Sequence, residues 1–163
     1  MQVASLRKNT KGIFGFRLPS TWYIVQFIHV NHRWLDPALL NQISKNGETC
    51  LCIATDDVGA SYAALWRNGQ IVWSVEHFGD LGRNHLDVNG EPPSNLIDLQ
   101  KKYKSAPGGV TGRQGSFMDI PIDLAENLTG FIANSLVPSI GSDNCDQFTD
   151  PTLDARRWWW PFD

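Results

Sequence analysis

Apolar and polar positions alternate most clearly in the middle of the chain. Ser61-Tyr-Ala-Ala-Leu-Trp-Arg67 and Gln70-Ile-Val-Trp-Ser-Val-Glu-His77 flank Asn68-Gly69, a pair that supplies the positive φ angles of a type I′ turn. The pattern predicts a two-residue hairpin with Arg67 opposite Gln70, Trp66 opposite Ile71, Leu65 opposite Val72 and Ala64 opposite Trp73. It continues with Ala63 opposite Ser74, Tyr62 opposite Val75 and Ser61 opposite Glu76. Strict alternation then gathers Tyr62, Ala64, Trp66, Ile71, Trp73 and Val75 on a core face. It leaves Ser61, Ala63, Leu65, Arg67, Gln70, Val72, Ser74 and Glu76 on a partly wet one.

Weaker periodicities surround the hairpin. Phe14 and Phe16 alternate as in a short first strand, and Tyr23 to Val30 is dense in β-branched and aromatic residues. Asp36-Pro37 reads as an N-cap followed by proline in the first helical turn, with Leu39, Leu40 and Ile43 as an apolar stripe and Asn46-Gly47 as the stop. Cys50 to Ala54 predicts a buried strand, and His85 to Val88 a further one closed by Asn89-Gly90. Pro92-Pro93-Ser94 introduces a helix that buries Leu96, Leu99 and Tyr103 and turns Lys101, Lys102 and Lys104 to water. A Gly- and Pro-rich loop spans 105–116, and Pro121 to Thr129 predicts a helix with Leu124 and Leu128 on one side, ended by Gly130. The class is therefore α+β: an antiparallel sheet with a central Asn-Gly hairpin and two or three short helices packed on one face. A single domain is expected over 1–163, with 132–163 as an irregular C-terminal tail.

Length and composition agree with one globular domain. The chain has 163 residues with 42% apolar and 19% charged, outside the disordered and fibrous classes. No stretch approaches the roughly 18–20 apolar residues that cross a bilayer, and the first ten residues lack an export-type apolar core. Three cysteines, of which Cys50 and Cys52 lie too close along a strand to bridge easily, point to reduced thiols and a cytoplasmic setting.

The net charge of −3 conceals blocks: residues 1–45 and 101–118 are basic, and 46–100 and 119–163 each carry two basic and eight acidic side chains. Nucleic-acid binders usually place Lys and Arg on their structured surface. Here the segments with the strongest structural signal are acidic. This argues against nucleic acid as a ligand and favours a basic protein partner; no membrane partner is expected, because the one short Trp-rich segment would anchor poorly.

Chemistry-bearing motifs are sparse. His29 and His32 share neither a Cys-x-x-Cys nor a His-Glu-x-x-His context, so no metal and no cofactor is expected. Cys50 and Cys52 read as small hydrophobes, with a nucleophilic Cys–His pair as the sharper alternative. Gly108 to Gly115 lacks the lysine of a phosphate-binding loop, and Asn127-Leu-Thr129 has the form of a glycosylation acceptor without an export signal to give it meaning. Polar chemistry concentrates in Glu76, His77, Asp80, Arg83, His85, Asp87 and Glu91, either as an ordinary polar sheet end, a protein-binding surface or an acid–base site. Trp158, Trp159 and Trp160 cannot all point one way from a regular element, so the tail either folds back or offers aromatic anchors.

The stretch Gly59-Ala-Ser-Tyr-Ala-Ala-Leu-Trp-Arg-Asn-Gly-Gln-Ile-Val-Trp-Ser-Val-Glu-His77, the Gly90-Glu-Pro-Pro93 helix start and Asp119 to Phe131 together resemble an uncharacterised family of small bacterial proteins. Members of that family look like immunity partners of secreted antibacterial toxins. The resemblance covers about residues 50–131. The family's Gly-Phe pair is followed by Arg-His-Asp; here Ile132-Ala133-Asn134 stands instead, and no catalytic residue carries over.

The resemblance implies a non-enzymatic, cytosolic antitoxin that neutralises a cognate toxin by direct contact. Expected contact residues are Arg67, Glu76, His77, Asp80, Arg83 and Asp87, with Trp158 and Trp159 as anchors. The alternative is a small hydrolase using the Glu76/His77/His85 region. A third reading is a structural subunit of a larger assembly.

Overall fold

The computed structural model describes residues 13–27, 35–55, 57–105, 117–132 and 146–148. In chain order the elements are β1 (Ile13–Arg17), β2 (Tyr23–Phe27), α1 (Pro37–Ile43), β3 (Glu48–Thr55), β4 (Ala60–Arg67), β5 (Gln70–Phe78), β6 (Asp87–Gly90), α2 (Leu96–Ser105), α3 (Asp119–Thr129) and β7 (Asp146–Phe148). Every strand pairing is antiparallel, and the fold is α+β. The chain gathers into two compact units, one from Met1–Arg33 with Phe131–Asp163 and one from Trp34–Gly130.

In the first unit β1 lies between β2 and β7. Phe14 and Phe16, two residues apart and so on one side of the strand, are both buried, and the Phe16 ring meets Phe131 edge-on with centroids 5.5 Å apart. Tyr23 Oη donates to the Asp146 carboxylate, tying β2 to β7 across β1. β7 falls inside the stretch expected to be irregular. Three residues are too few for alternation to register.

The second unit is built on the sheet β3-β4-β5-β6. Its hairpin turn forms as expected, with Asn68 at φ 54° and Gly69 at φ 76°, and Arg67 pairs with Gln70 and Trp66 with Ile71. Beyond these pairs the register departs from the expectation. A bulge between Trp66–Ile71 and Leu65–Trp73 leaves Val72 without a partner, so Ala64 opposes Ser74, Ala63 opposes Val75, Tyr62 opposes Glu76 and Ser61 opposes His77.

One extra residue exchanges the faces of everything that follows it in β5. Ser61, Ala63, Leu65, Trp73, Val75 and His77 are all buried and share one face. Tyr62, Ala64, Trp66, Ser74 and Glu76 share the other. Ile71, expected in the core, stands 51% exposed.

The helices flank the sheet on both sides rather than one. α3 lies on the Ser61 face against β3, β4 and β5, and the Ser61 hydroxyl donates to the Met118 carbonyl at 2.7 Å. α1 lies on the opposite face, where Leu40 packs with Ala64 and Trp66, and Leu51 and Tyr62 close the cluster. The α1 start follows the predicted chemistry: the Asp36 carboxylate accepts from Ala38 N at 2.7 Å and Pro37 takes the first helical position. Its stripe is narrower than expected, with Leu40 buried and Ile43 55% exposed.

α2 buries Leu96 and Leu99 and packs on α3. There the Asp123 carboxylate accepts from Tyr103 Oη at 2.7 Å and pairs with Lys102 Nζ at 3.0 Å, holding the lysine protonated above its usual range.

The bulge also dictates what stands on β6. The Val72 carbonyl, turned out of the β4 ladder, accepts from Glu91 N–H at 3.3 Å, and Gly90 pairs with Trp73 directly beside it. Gly90 has φ +72°, and a Cβ there would collide with the Val72 carbonyl oxygen. Gly130, which ends α3 at φ +74°, has open space where its Cβ would go. Gly130→Ala should therefore cost about 1–2 kcal/mol from backbone conformation alone. Gly90→Ala should cost about 3 kcal/mol, because strain and backbone collision combine. Urea unfolding of the two variants checks the order.

Candidate functional site

The second unit has two ends with different chemistry. At the hairpin tip the charges are satisfied: Arg67 Nη2 pairs with Glu48 Oε1 on β3 at 2.5 Å, and Arg67 Nε donates to the same oxygen. Gly69 N–H donates to the Ser44 carbonyl at 3.3 Å, seating the turn beneath the end of α1. Arg67 is thus spent on an internal pair. β5 also separates it from the residues beyond Phe78 by roughly 25 Å of extended chain, so it does not join the other expected contact residues.

At the far end two turns meet. The β3–β4 turn carries Asp57, Val58 and Gly59, and a single 3₁₀ turn after β5 carries Gly79, Asp80 and Leu81. Gly79 N–H donates to the Gly59 carbonyl at 3.0 Å, and Gly59 sits at φ +62°. A Cβ on Gly79 would stand 3.1 Å from the Gly59 carbonyl oxygen, so glycine lets the two backbones touch. The result is a tip on which Val58 is 65% and Leu81 63% exposed, with the exposed carboxylates of Asp57 and Asp80 beside them in sequence. Arg83, also exposed, follows in the same loop, and its carbonyl accepts from Phe117 N–H at 3.2 Å, which anchors the loop ahead of α3. Of the expected contact residues, Asp80 stands on this tip and Arg83 is exposed further along the same loop, while Asp57, Val58 and Leu81 are on the tip unforeseen.

His77 does not. It is 2% exposed, on the Ser61 face, and its Nδ1–H donates to the His85 carbonyl at 2.7 Å. The bulge put it there, since the expected register implies the opposite face. It supports the loop from inside and presents nothing to a partner.

Glu76 and Asp87 oppose each other across β5 and β6 on the other face. Burial holds the Glu76 carboxyl above the usual carboxylate range; Asp87 pushes the same way and His85 pulls back. Tyr62, paired with Glu76 from β4, has its phenol raised by burial and then by that carboxylate, while a hydrogen bond with Ser74 works against the rise. Glu76 and His77, expected to share an acid–base site with His85, do not face one another, although each lies near the His85 ring. Glu76 and His77 are successive strand residues that point to opposite faces. Both ring nitrogens of His85 are occupied, Nδ1 by Phe78 N–H at 3.1 Å and Nε2 against Asp87 Oδ2 at 3.3 Å.

Cys50 and Cys52 are free thiols on one side of β3. Burial, with Cys52 adding to it, pushes the Cys50 thiol up to about 12, which leaves it protonated at neutral pH and weak as a nucleophile. Among the described residues no group of three or more His, Cys, Asp or Glu could hold a metal ion, and no helix is long and apolar enough to cross a membrane. His29, His32, the 106–116 loop and the tryptophans Trp158, Trp159 and Trp160 lie outside the described residues. No family model matches this chain, and comparison with curated proteins and with solved structures found no match.

The Glu76–Asp87 pair yields a prediction with a definite sign. A carboxyl raised in the folded state is penalised when ionised, so its cost is absent at low pH and grows as pH rises through the interval between the unfolded and folded values. Glu76→Gln should raise stability at pH 7 by roughly 0.2–1 kcal/mol, the size of one like-charge cross-strand contact. The gain should vanish below about pH 4, where the native carboxyl is protonated in both states. Thermal melts of both proteins at the two pH values check it.

Proposed function

We propose that this chain is a binding protein of the immunity type, which neutralises a basic protein toxin by direct contact and does no chemistry itself. The observation that carries the reading is the 57–59/79–81 tip. Two exposed apolar side chains and two carboxylates are displayed there on turns that backbone hydrogen bonds hold in place. A partner that brings Lys or Arg around an apolar patch would bury Val58 and Leu81 and pair Asp57 and Asp80 in one step. Steering by the acidic 46–100 block would speed the encounter. His77 and His85 fit the same reading, since both are engaged in holding the loop.

The resemblance of residues 50–131 to immunity partners of bacterial toxins points the same way, and the cytoplasm is where such an antitoxin would act. The tail tryptophans Trp158 and Trp159 remain candidates for further anchors, as desolvated aromatics often dominate affinity.

The test is direct: the purified protein is titrated against the purified product of the neighbouring gene. A complex at micromolar affinity or better is expected. Asp57→Lys with Asp80→Lys should weaken it by about 10- to 100-fold, and Leu81→Ser by a similar factor. Asp98→Lys, a charge reversal on exposed α2, should leave it within about twofold. Absence of a complex, or equal loss from Asp98→Lys, sinks the reading.

A further inference from the structure

The loop that carries Asp80 and Leu81 is closed at its base by a histidine ring acting as an acceptor. Phe78, the last residue of β5, donates its N–H to His85 Nδ1 at 3.1 Å, and these two residues bracket residues 79–84. With that lone pair committed, the proton of the neutral ring resides on Nε2, which faces Asp87 Oδ2 at 3.3 Å. The His85 backbone is held independently: its carbonyl accepts from His77 Nδ1–H at 2.7 Å, and its N–H donates to the Gly82 carbonyl at 2.9 Å. One ring nitrogen thus ties the Phe78 end of the loop to a His85 backbone that is held independently.

We propose that His85 is a proton-operated latch: the neutral ring closes the 79–84 loop, and protonation of the ring releases Phe78 N–H and loosens the Asp80–Leu81 limb of the tip. A protonated Nδ1 is a donor aimed at a donor, so the hydrogen bond is replaced by repulsion. The titratable groups beside the ring are Asp87 on β6 and Glu76 and His77 on β5. The ring has two geometric roles, acceptor at Nδ1 and donor at Nε2, and a proton added at Nδ1 removes the first while keeping the second. The consequence for binding rests on the tip being the docking surface; the latch itself does not.

The experiment uses the full chain, labelled with ¹⁵N and without any partner. Ring ¹⁵N shifts should show the Nε2–H tautomer at about pH 7.5 and a charged ring after acidification toward about pH 5. Amide protection of Phe78, corrected for intrinsic exchange, should fall by about fivefold to tenfold over the same range, the worth of one hydrogen bond. Mid-strand Val75 should keep its protection. His85→Asn places an amide oxygen near the Nδ1 position and does not titrate, so it should hold Phe78 protection constant. A ring that stays neutral throughout, the opposite tautomer at neutral pH, or unchanged Phe78 protection beside a titrating ring would each overturn the latch, and all three are read in the native protein even if the variant fails to fold. A latch that operates while partner affinity ignores both pH and the Asp57/Asp80 reversals would leave the latch standing and remove the tip as the docking surface.

Discussion

An outward-turned carbonyl at Val72 governs the second unit. Because Val72 has no partner on β4, its carbonyl points toward β6 and accepts from Glu91, and only glycine at position 90 leaves room for it. The same bulge moves Trp73, Val75 and His77 to the face that α3 covers, beside Leu65, Ala63 and Ser61. Without it Trp73 would oppose Ala64 on the α1 side, and Ser74 and Glu76 would take its place beneath α3. A serine and a glutamate there would lie in an apolar layer, which costs several kcal/mol unless each finds a partner. One backbone irregularity thus lets β5 deliver two large apolar residues to one layer and its carboxylate to the other.

From this follows the division between support and display at the far end. His77, buried by the face exchange, reaches the His85 carbonyl; His85, positioned by that bond, reaches the Phe78 N–H. The loop between them therefore spans a gap closed at both ends, and Asp80 and Leu81 project from it without needing contacts of their own. Gly59 and Gly79 add a backbone-to-backbone contact with the neighbouring turn. Histidines placed in such roles look like catalytic candidates in a sequence, where only their proximity to Glu76 and Asp87 is visible.

The legible parts of the fold were those set by local chemistry. Asn68-Gly69, Asp36-Pro37, Gly130 and the Leu96/Leu99 spacing each act through the residue's own conformational preference or through one turn of helix, and each appears where expected. The register of β5 was not legible, because Ile71, Val72, Trp73 and Val75 are apolar on both parities and alternation fits either face. The bulge is chosen by tertiary packing, through the match of Trp73 and Val75 to the layer under α3, and packing leaves no period-two signature. For the site, Asp80 and Arg83 were readable as a polar turn. Asp57, Val58 and Leu81 were not, since nothing short of the folded sheet brings the turns at 59 and 79 together. The triplets Asp57-Val-Gly59 and Gly79-Asp-Leu81, each placing glycine against a strand end beside an acidic and an apolar residue, are the one sequence signal that could have joined them.

The two ends of the sheet also differ in what an incoming molecule would have to break. At the hairpin tip Arg67 and Glu48 already neutralise each other, so a charged partner docking there must disrupt a pair before making a new one. At the far end the carboxylates of Asp57 and Asp80 are exposed beside Val58 and Leu81. Burying those apolar side chains strips water from the neighbouring carboxylates, and that penalty is recovered only if the partner supplies cations at the same positions. An acidic or purely apolar surface gains the hydrophobic contact and forfeits it to desolvation, whereas a basic one gains both. On the proposed reading, selectivity for a basic partner comes from placing apolar and acidic side chains next to each other on the tip, and it does not depend on the net charge of the chain.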